Sequence, residues 1–481
     1  MAILWIVLGI IVLLLLVALT RALTMKPTLA KTAKVDTTVT EKAKIYGEKL
    51  RQMIRVETIS EANNTSTEKF YRLHDVMKEL FPTLYANAEV VDIDANLLFK
   101  WKGKTSKDPV LLMSHQDVVE ATGKWQHDAF SGEIIDEKVV WGRGTVDTKA
   151  NLFCMMQAFE ELMKEGYTPE VDMYIASSVT EEVGGDGAPK LVNYLKEQGV
   201  KLRFLLDEGG LVMEEPLTGL TGTYAMVGVL EKGNGNLRFI AKSNGGHASA
   251  PSKNTPLVRL GKFMAEVEKN YPLTSQLNGT VEEMFRRVAP NMSFSNRLLL
   301  GNLWLFKPLV VKILTNLSPT TAAMMRTSIA FTRAEGSDGY NVIPQTAWVS
   351  ANIRYIPHQD KEESNRILSD LAKKFDIETQ VIDGSPSCPV VSHESQGFRL
   401  LEETMAEVYP GVGVTPYAMT GATDARFYSE ICENALRFGP LYINRQQLES
   451  IHGLDENIDM KALDYGVKFF KKFVKKVPVA K

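Results

Sequence analysis

The chain has 481 residues, more than one ordinary domain takes up and ample for a sizeable core, so two domains are predicted. Its 55 basic and 58 acidic residues leave almost no net field, and no basic stripe with interleaved aromatics occurs, which excludes nucleic acid as a partner. Cys154, Cys388 and Cys432 are odd in number, widely spaced and without a Cys-x-x-Cys pair, which excludes a disulfide framework and a cysteine-ligated metal.

Residues 3–19 are apolar and uncharged, close to the roughly 20 residues that span a bilayer. Met1-Ala2 brings no basic residue ahead of the run, and Leu19-Thr20-Arg21-Ala22 is a poor cleavage site. A single-pass, uncleaved membrane anchor over 1–22 is therefore predicted, with secretion after signal cleavage as the alternative. Arg21, Lys26, Lys31 and Lys34 follow the span, which favours a cytoplasmic body, but the rule is statistical and leaves the side of the membrane open. Residues 23–38 read as a polar linker.

Residues 41–55 and 67–80 carry apolar side chains at helical spacing and are predicted to be packing helices. Residues 89–93 and 96–101 alternate as strands, and 109–114 is the continuous apolar run of a central parallel strand, ending in His115-Gln116-Asp117. A strand at 138–141 leads through Gly142-Arg143-Gly144-Thr145-Val146-Asp147 to a helix over 150–164. The buried strand 171–177 runs into Glu181-Glu182-Val183-Gly184-Gly185 and a helix over 188–198, and the strand 201–206 ends in Asp207-Glu208-Gly209-Gly210.

From Tyr224 the pattern changes to strands at 224–230 and 236–242, Gly246-His247, a helix over 255–270, strands at 327–332 and 346–355, a helix over 359–375 and a strand at 377–382. That order predicts a small α+β sandwich inserted into the larger domain. The predicted organisation is a catalytic domain of 39–230 and 385–481 around a second domain of 231–384. Within the latter, 272–325 is strongly apolar, but Lys307 and Pro308 break the run, which argues against a second span. Packing against the second domain or a partner subunit is predicted for it, with a flap facing an apolar substrate or the membrane as the alternative. The chain then returns through a helix over 395–409, a strand at 412–417, the loop Gly421-Ala422-Thr423-Asp424, a strand at 435–438, His452 and a final helix from Asp459.

His115, Asp147, Glu182, Asp207 and His452 thus share one predicted sheet edge, where α/β enzymes place their chemistry. Two imidazoles with three carboxylates suit zinc, with manganese or cobalt as alternatives. A two-metal site also needs one free base, and Glu181 fills that role. His115 and Asp117, two apart beyond a strand, point the same way, so that Asp117 orients the imidazole.

Taken together, His115-Gln116-Asp117, Gly142-Arg143-Gly144-x-x-Asp147, Glu181-Glu182-x-Gly184-Gly185, Asp207, Gly246-His247, Asn341-Val342-Ile343-Pro344 and His452 resemble the cocatalytic zinc exopeptidases. That family includes glutamate carboxypeptidase, aminoacylase and carboxypeptidase S, and the resemblance runs over about 41–474. The apolar insertion and the anchor look most like the carboxypeptidase S and N-fatty-acyl-amino-acid hydrolase branch.

The resemblance implies an α/β fold with a three-layer αβα catalytic domain, an inserted ferredoxin-like lid through which a homodimer forms, and two zinc ions per subunit. Asp147 would bridge them, His115 and Asp207 would complete one site, and Glu182 and His452 the other. Glu181 would shuttle the proton and His247 would reach a substrate oxyanion from the lid. Asn341 and Arg354 would lie near the substrate carboxylate, with Gly421 and Thr423 lining the pocket. Thr148-Lys149-Ala150 departs from the family's Met-Lys-Gly without touching a ligand.

The function so implied is metal-dependent hydrolysis of an amide bond next to a free carboxylate, in a peptide or an N-acyl amino acid. A dipeptidase or aminopeptidase requiring a free amine is the alternative, and a non-catalytic membrane-bound binding protein is the third reading.

Overall fold

A computed structural model of the chain describes residues 1–29, 35–62 and 66–479. Residues 30–34 of the predicted linker, with Lys31 and Lys34, lie outside the described residues. Ala2–Thr24 forms one helix, α1, long and apolar enough to cross a membrane.

Among the described residues, ten strands form one mixed sheet. They are β1 (Glu89–Ile93), β2 (Asn96–Trp101), β3 (Thr105–Met113), β4 (Val171–Ser177), β5 (Phe204–Asp207), β6 (Val212–Glu214) and β7 (Thr223–Glu231), then, after an inserted unit, β8 (Gly413–Met419), β9 (Ala435–Arg437) and β10 (Tyr442–Ile443). They lie in the order β1-β2-β4-β3-β5-β9-β7-β6-β10, with β8 beside β7. The neighbours β4, β3, β5 and β9 run parallel, so their carboxyl ends open on one edge.

Side chains alternate between the two faces, and both faces are covered. Phe99, Leu112, Ile175 and Leu206 pack under helices Glu41–Ile54, Lys149–Lys164, Gln396–Val408 and Met460–Lys476. Leu98, Leu111, Tyr174 and Leu205 pack under Gly187–Glu197 and the short turn of helix Asp424–Glu430. Each such buried side chain contributes roughly 2 kcal/mol, which explains why these strands read as unbroken apolar runs.

The sequence reading counted the strand at 224–230 among those of the small sandwich while setting the domain boundary at 230; β7 lies in the large sheet. All nine of its residues are buried in the large sheet. Ala225, Val227 and Val229 face the first layer, while Tyr224, Met226 and Leu230 face the apolar insertion. The insertion is therefore the outer layer over that end of the catalytic sheet, with Val281, Met284, Phe285, Leu300 and Val310 in one core with Ala418. Its inner side therefore packs on the catalytic sheet as well as, through Leu273, on the small domain, because the rows of Tyr224 and Ala418 would otherwise face water.

The inserted unit has a four-stranded antiparallel sheet in the order Ser328–Glu335, Thr346–Tyr355, Gly233–Lys242, Glu378–Ser385. Helices Pro256–Lys269 and Lys361–Lys373 share one core with it through Leu260, Phe263 and Leu368.

Candidate metal centre

The parallel strands deliver their side chains to one pocket of about 190 Å³, lined among others by Asp147, Glu181, Glu182, Glu208 and His452. A cleft of about 390 Å³ beside Lys100 and Asp172 is larger. Among the described residues, however, the single cluster with metal-ligating geometry is His115, Asp147 and Glu182, whose ligand atoms lie within 4.8 Å of one another.

His115 follows β3 directly. Its Nδ1 lies 2.9 Å from the Asp117 carbonyl oxygen, and because a carbonyl can only accept, Nδ1 carries the proton. Nε2 then turns toward Asp147 Oδ1 at 3.1 Å. In a neutral imidazole two lone pairs would face each other across that gap, so either a proton or a cation must sit between them. His452 makes the same confrontation, with Nε2 3.0 Å from Asp147 Oδ2 and 3.1 Å from Glu182 Oε2. Its backbone is in the left-handed region at φ 57°, a conformation uncommon for residues other than glycine. Glu182 Oε1 is buried with no partner, a further vacant donor for a cation. The residues present fit a divalent metal.

The supporting contacts explain the placement. Asp117 is fully buried, and its carboxylate accepts the backbone N–H groups of Glu181 (3.3 Å) and Glu182 (3.1 Å). It therefore fixes the acidic pair, while its carbonyl fixes His115. Glu456, to which the sequence reading gave no role, accepts the N–H groups of Val146 (2.7 Å) and Asp147 (3.0 Å) and pairs with Arg143 at 2.6 Å. Gly144, at φ 90°, turns its own N–H onto the same carboxylate. One buried acid thus shapes the turn that presents Asp147.

Charge crowding shows in the titration of the metal-free site. Burial, and then Asp424, Glu182 and Asp147, push the Glu181 carboxyl up to about 9, against the pull of His115. Bonds to Asp147 and Glu182 raise the His452 imidazole to about 10. Burial opposes protonation of His115, but the bonds to Asp117 and Asp147 overcome it and hold its imidazole well above the ordinary value. Burial would likewise raise Asp147, yet His115 and His452 hold it well below the carboxylate range.

Asp207 does not line that pocket but, with His115 and Glu181, a small cavity of about 10 Å³. Its carboxylate accepts the backbone N–H groups of Glu208 (2.9 Å) and Ala425 (2.8 Å). The next residue, Glu208, lines the pocket, with burial and then Asp147 as the leading causes that raise its carboxyl. Thr423 is also turned inward: its Oγ1 donates to buried Glu231 at 3.2 Å, and Glu231 pairs with buried Arg437 at 2.8 Å. Ala422 lines the pocket in its place, and Gly421 is exposed.

The inserted unit's residues stay apart from the cluster within this chain. His247 is exposed in a two-stranded ribbon with Val342, and its Nδ1 is 2.7 Å from Ser249 Oγ. Asn341 is exposed, and Arg354 is half-buried with its Nε donating to Asn352 at 3.2 Å.

Residues 111–476 match the family model described as peptidase family M20/M25/M40. The N-fatty-acyl-amino acid synthase/hydrolase PM20D1 of Xenopus tropicalis is 32% identical over 475 residues, covering 95% of this chain and 92% of that protein. A probable carboxypeptidase S-like protein of Dictyostelium discoideum is 32% identical over 85% of this chain and 79% of its own. In fold, an M20 family metallo-carboxypeptidase from Sulfolobus solfataricus superposes with a TM-score of 0.64 at 17% identity, over 91% of this chain and 99% of that one. With three quarters of its length inside the family model and a relative of nearly its own full length, this chain belongs to peptidase family M20/M25/M40 and is a metallohydrolase.

Proposed function

We propose that the chain hydrolyses the amide bond between an acyl or peptidyl group and a residue with a free carboxylate. The assigned ligands are His115, Asp147, Glu182, His452 and Glu208, with Glu208 in the place first given to Asp207. The mixed imidazole and carboxylate set favours two zinc ions. Bound there, such ions would polarise the amide carbonyl and acidify the attacking water.

Glu181 accepts the proton of that water and passes it to the leaving nitrogen. It lies beside Glu182 in a buried setting, which favours the protonated form that it adopts between the two steps. Asp117 holds Glu181 in register through the backbone. His247, Asn341 and Arg354 belong to the inserted unit, which acts as lid and dimer contact. The observation that carries the reading is the pair of imidazole nitrogens held 3.1 and 3.0 Å from the Asp147 carboxylate, an arrangement that needs a proton or a cation in each gap.

The names of the full-length relatives support N-acyl amino acids and C-terminal peptide bonds as substrates. The apolar helix α1 supports a membrane location through a single anchor. Glu181→Gln should lower kcat on an N-acyl amino acid by at least about 100-fold while the bound metal stays unchanged. Loss of metal along with activity would make Glu181 a ligand and sink the assignment.

A further inference from the structure

The apolar insertion folds into a bent pair of helices, α2 (Phe294–Leu300) and α3 (Leu303–Leu317), whose axes meet at 109°. One side of the pair is accounted for. Leu300 and Val310 are buried in the core with Tyr224 and Met226. The other side is not: Trp304 is 51% exposed, Leu309 47%, Ile313 40% and Leu317 63%.

No acidic residue occurs between Phe294 and Leu317, and of the three basic ones Arg297 and Lys307 are committed. Arg297 donates to the Met25 carbonyl at 2.9 Å, and Lys307 pairs with Glu282. Lys312 remains exposed on the same helix as the apolar row. A row of large apolar side chains with a Trp and a Lys is the composition of a helix lying in a membrane interface.

What covers this side follows from its neighbour. Almost all of α1 is exposed, and its two fully buried side chains are Ala18 and Ala22. At that notch the bend of the helix pair docks. Asn302 at the bend donates to the Ala18 carbonyl at 3.0 Å, and Met25 lies against Gly301. Asn291 continues the joint, accepting from the N–H groups of Thr28 and Leu29 at 3.1 Å each and donating to Tyr224 Oη at 2.8 Å. The apolar surface of the pair is therefore continuous with that of α1, at its carboxyl-terminal end. With a rise of about 1.5 Å per residue, Ala18 sits about 9 Å inside the end of α1, the depth of a headgroup and acyl boundary. At about 22 Å, α3 is too short to cross the roughly 30 Å hydrocarbon layer.

The geometry points to α2 and α3 as a second membrane contact, which lies in the interface of the bilayer holding α1 and seats the catalytic sheet on it. This rests on the reading of α1 as a membrane anchor, and the test separates the two. In full-length protein with Cys388→Ser, whose other thiols are buried, single Leu309→Cys and Ile313→Cys positions carry an environment-sensitive fluorophore. Leu8→Cys in mid-anchor and Lys374→Cys on the exposed inserted unit are the references. The proteins are reconstituted in phosphatidylcholine vesicles with or without lipids bearing a nitroxide high on the acyl chain.

Labels at 309 and 313 should emit to the blue and lose at least half of their intensity to the nitroxide lipid, with the label at 374 unchanged. Quenching at 8 with none at 309 or 313 overturns the second contact and leaves the anchor. A blue emission at 309 that the nitroxide lipid does not quench means another copy of the chain covers the face, and also overturns it. Quenching at 309 and 313 without a lipid effect at 8 leaves a membrane contact of the helix pair, removes the anchor and overturns their placement in one bilayer. No quenching at any position removes both.

Discussion

Replacing Glu208 by Ala should lower the metal bound from two ions toward one per chain, whereas Asp207→Asn should leave the metal count unchanged and loosen the loop at Ala425, to which its carboxylate is bonded. Elemental analysis of both variants decides which acid is the ligand. The sequence places Asp207 and Glu208 side by side at the end of this strand and does not separate them. Alternation defines a side only while the ladder continues, and β5 ends at Asp207. The His115, Asp147 and Glu182 cluster was readable because each follows an apolar run or a glycine turn. The titration of these residues gives a second test. Between their ordinary values and about 9 for Glu181, about 7 for Asp424 and about 10 for His452, the folded metal-free chain keeps protons that the unfolded chain has lost. For the raised carboxyls and the raised imidazole the sign is the same: stability of the metal-free protein falls as pH rises from about 5 to about 7, above which Lys149 and Lys232, lowered to about 7 by burial, act in the opposite sense. Metal uptake should then expel protons, at least about one per chain at pH 7, read by calorimetry in two buffers of different ionisation enthalpy. Uptake without proton release would contradict the crowded, protonated site.

At the scale of elements, the turn from Gly142 to Asp147 is held by a carboxylate from the far end of the chain. Glu456→Gln leaves the guanidinium of Arg143 buried without its counter-ion, since both side chains are inaccessible. Breaking one side of such a pair costs about 3 to 5 kcal/mol, to be read as a lowered midpoint in urea. Metal affinity should fall with it, because the amide keeps only one oxygen to accept from Arg143, Gly144, Val146 and Asp147. Helices with one apolar face were located from periodicity to within a residue or two: 41–55 against Glu41–Ile54, and 395–409 against Gln396–Val408. β7 was read as a strand, 224–230 against Thr223–Glu231, but not which sheet it joins, because a strand buried on both faces has no solvent side to read. The insertion was read as apolar without its partner, because composition does not say what a helix face packs against.

For the whole molecule, His247 is exposed and does not line the pocket of its own chain, so the role proposed for it calls for the site of a second chain. His247→Ala should cut kcat with metal content unchanged, and mixing it with Glu181→Gln should restore part of the lost activity through hybrid dimers. Failure of the mixture to recover any activity would place His247 in its own chain's site. The clamp between Arg143 and Glu456 joins positions 313 residues apart, and it sets an order of events in synthesis. Strands β3 to β7 and the whole inserted unit leave the ribosome before the residue that shapes the Asp147 turn exists, and His452 arrives only four positions ahead of it. A nascent chain can complete most of its sheet and still carry an open, unligated turn. Hydrolytic activity is thereby withheld until translation is nearly finished, and a chain truncated between Ile443 and His452 would retain every strand of the large sheet yet remain inert.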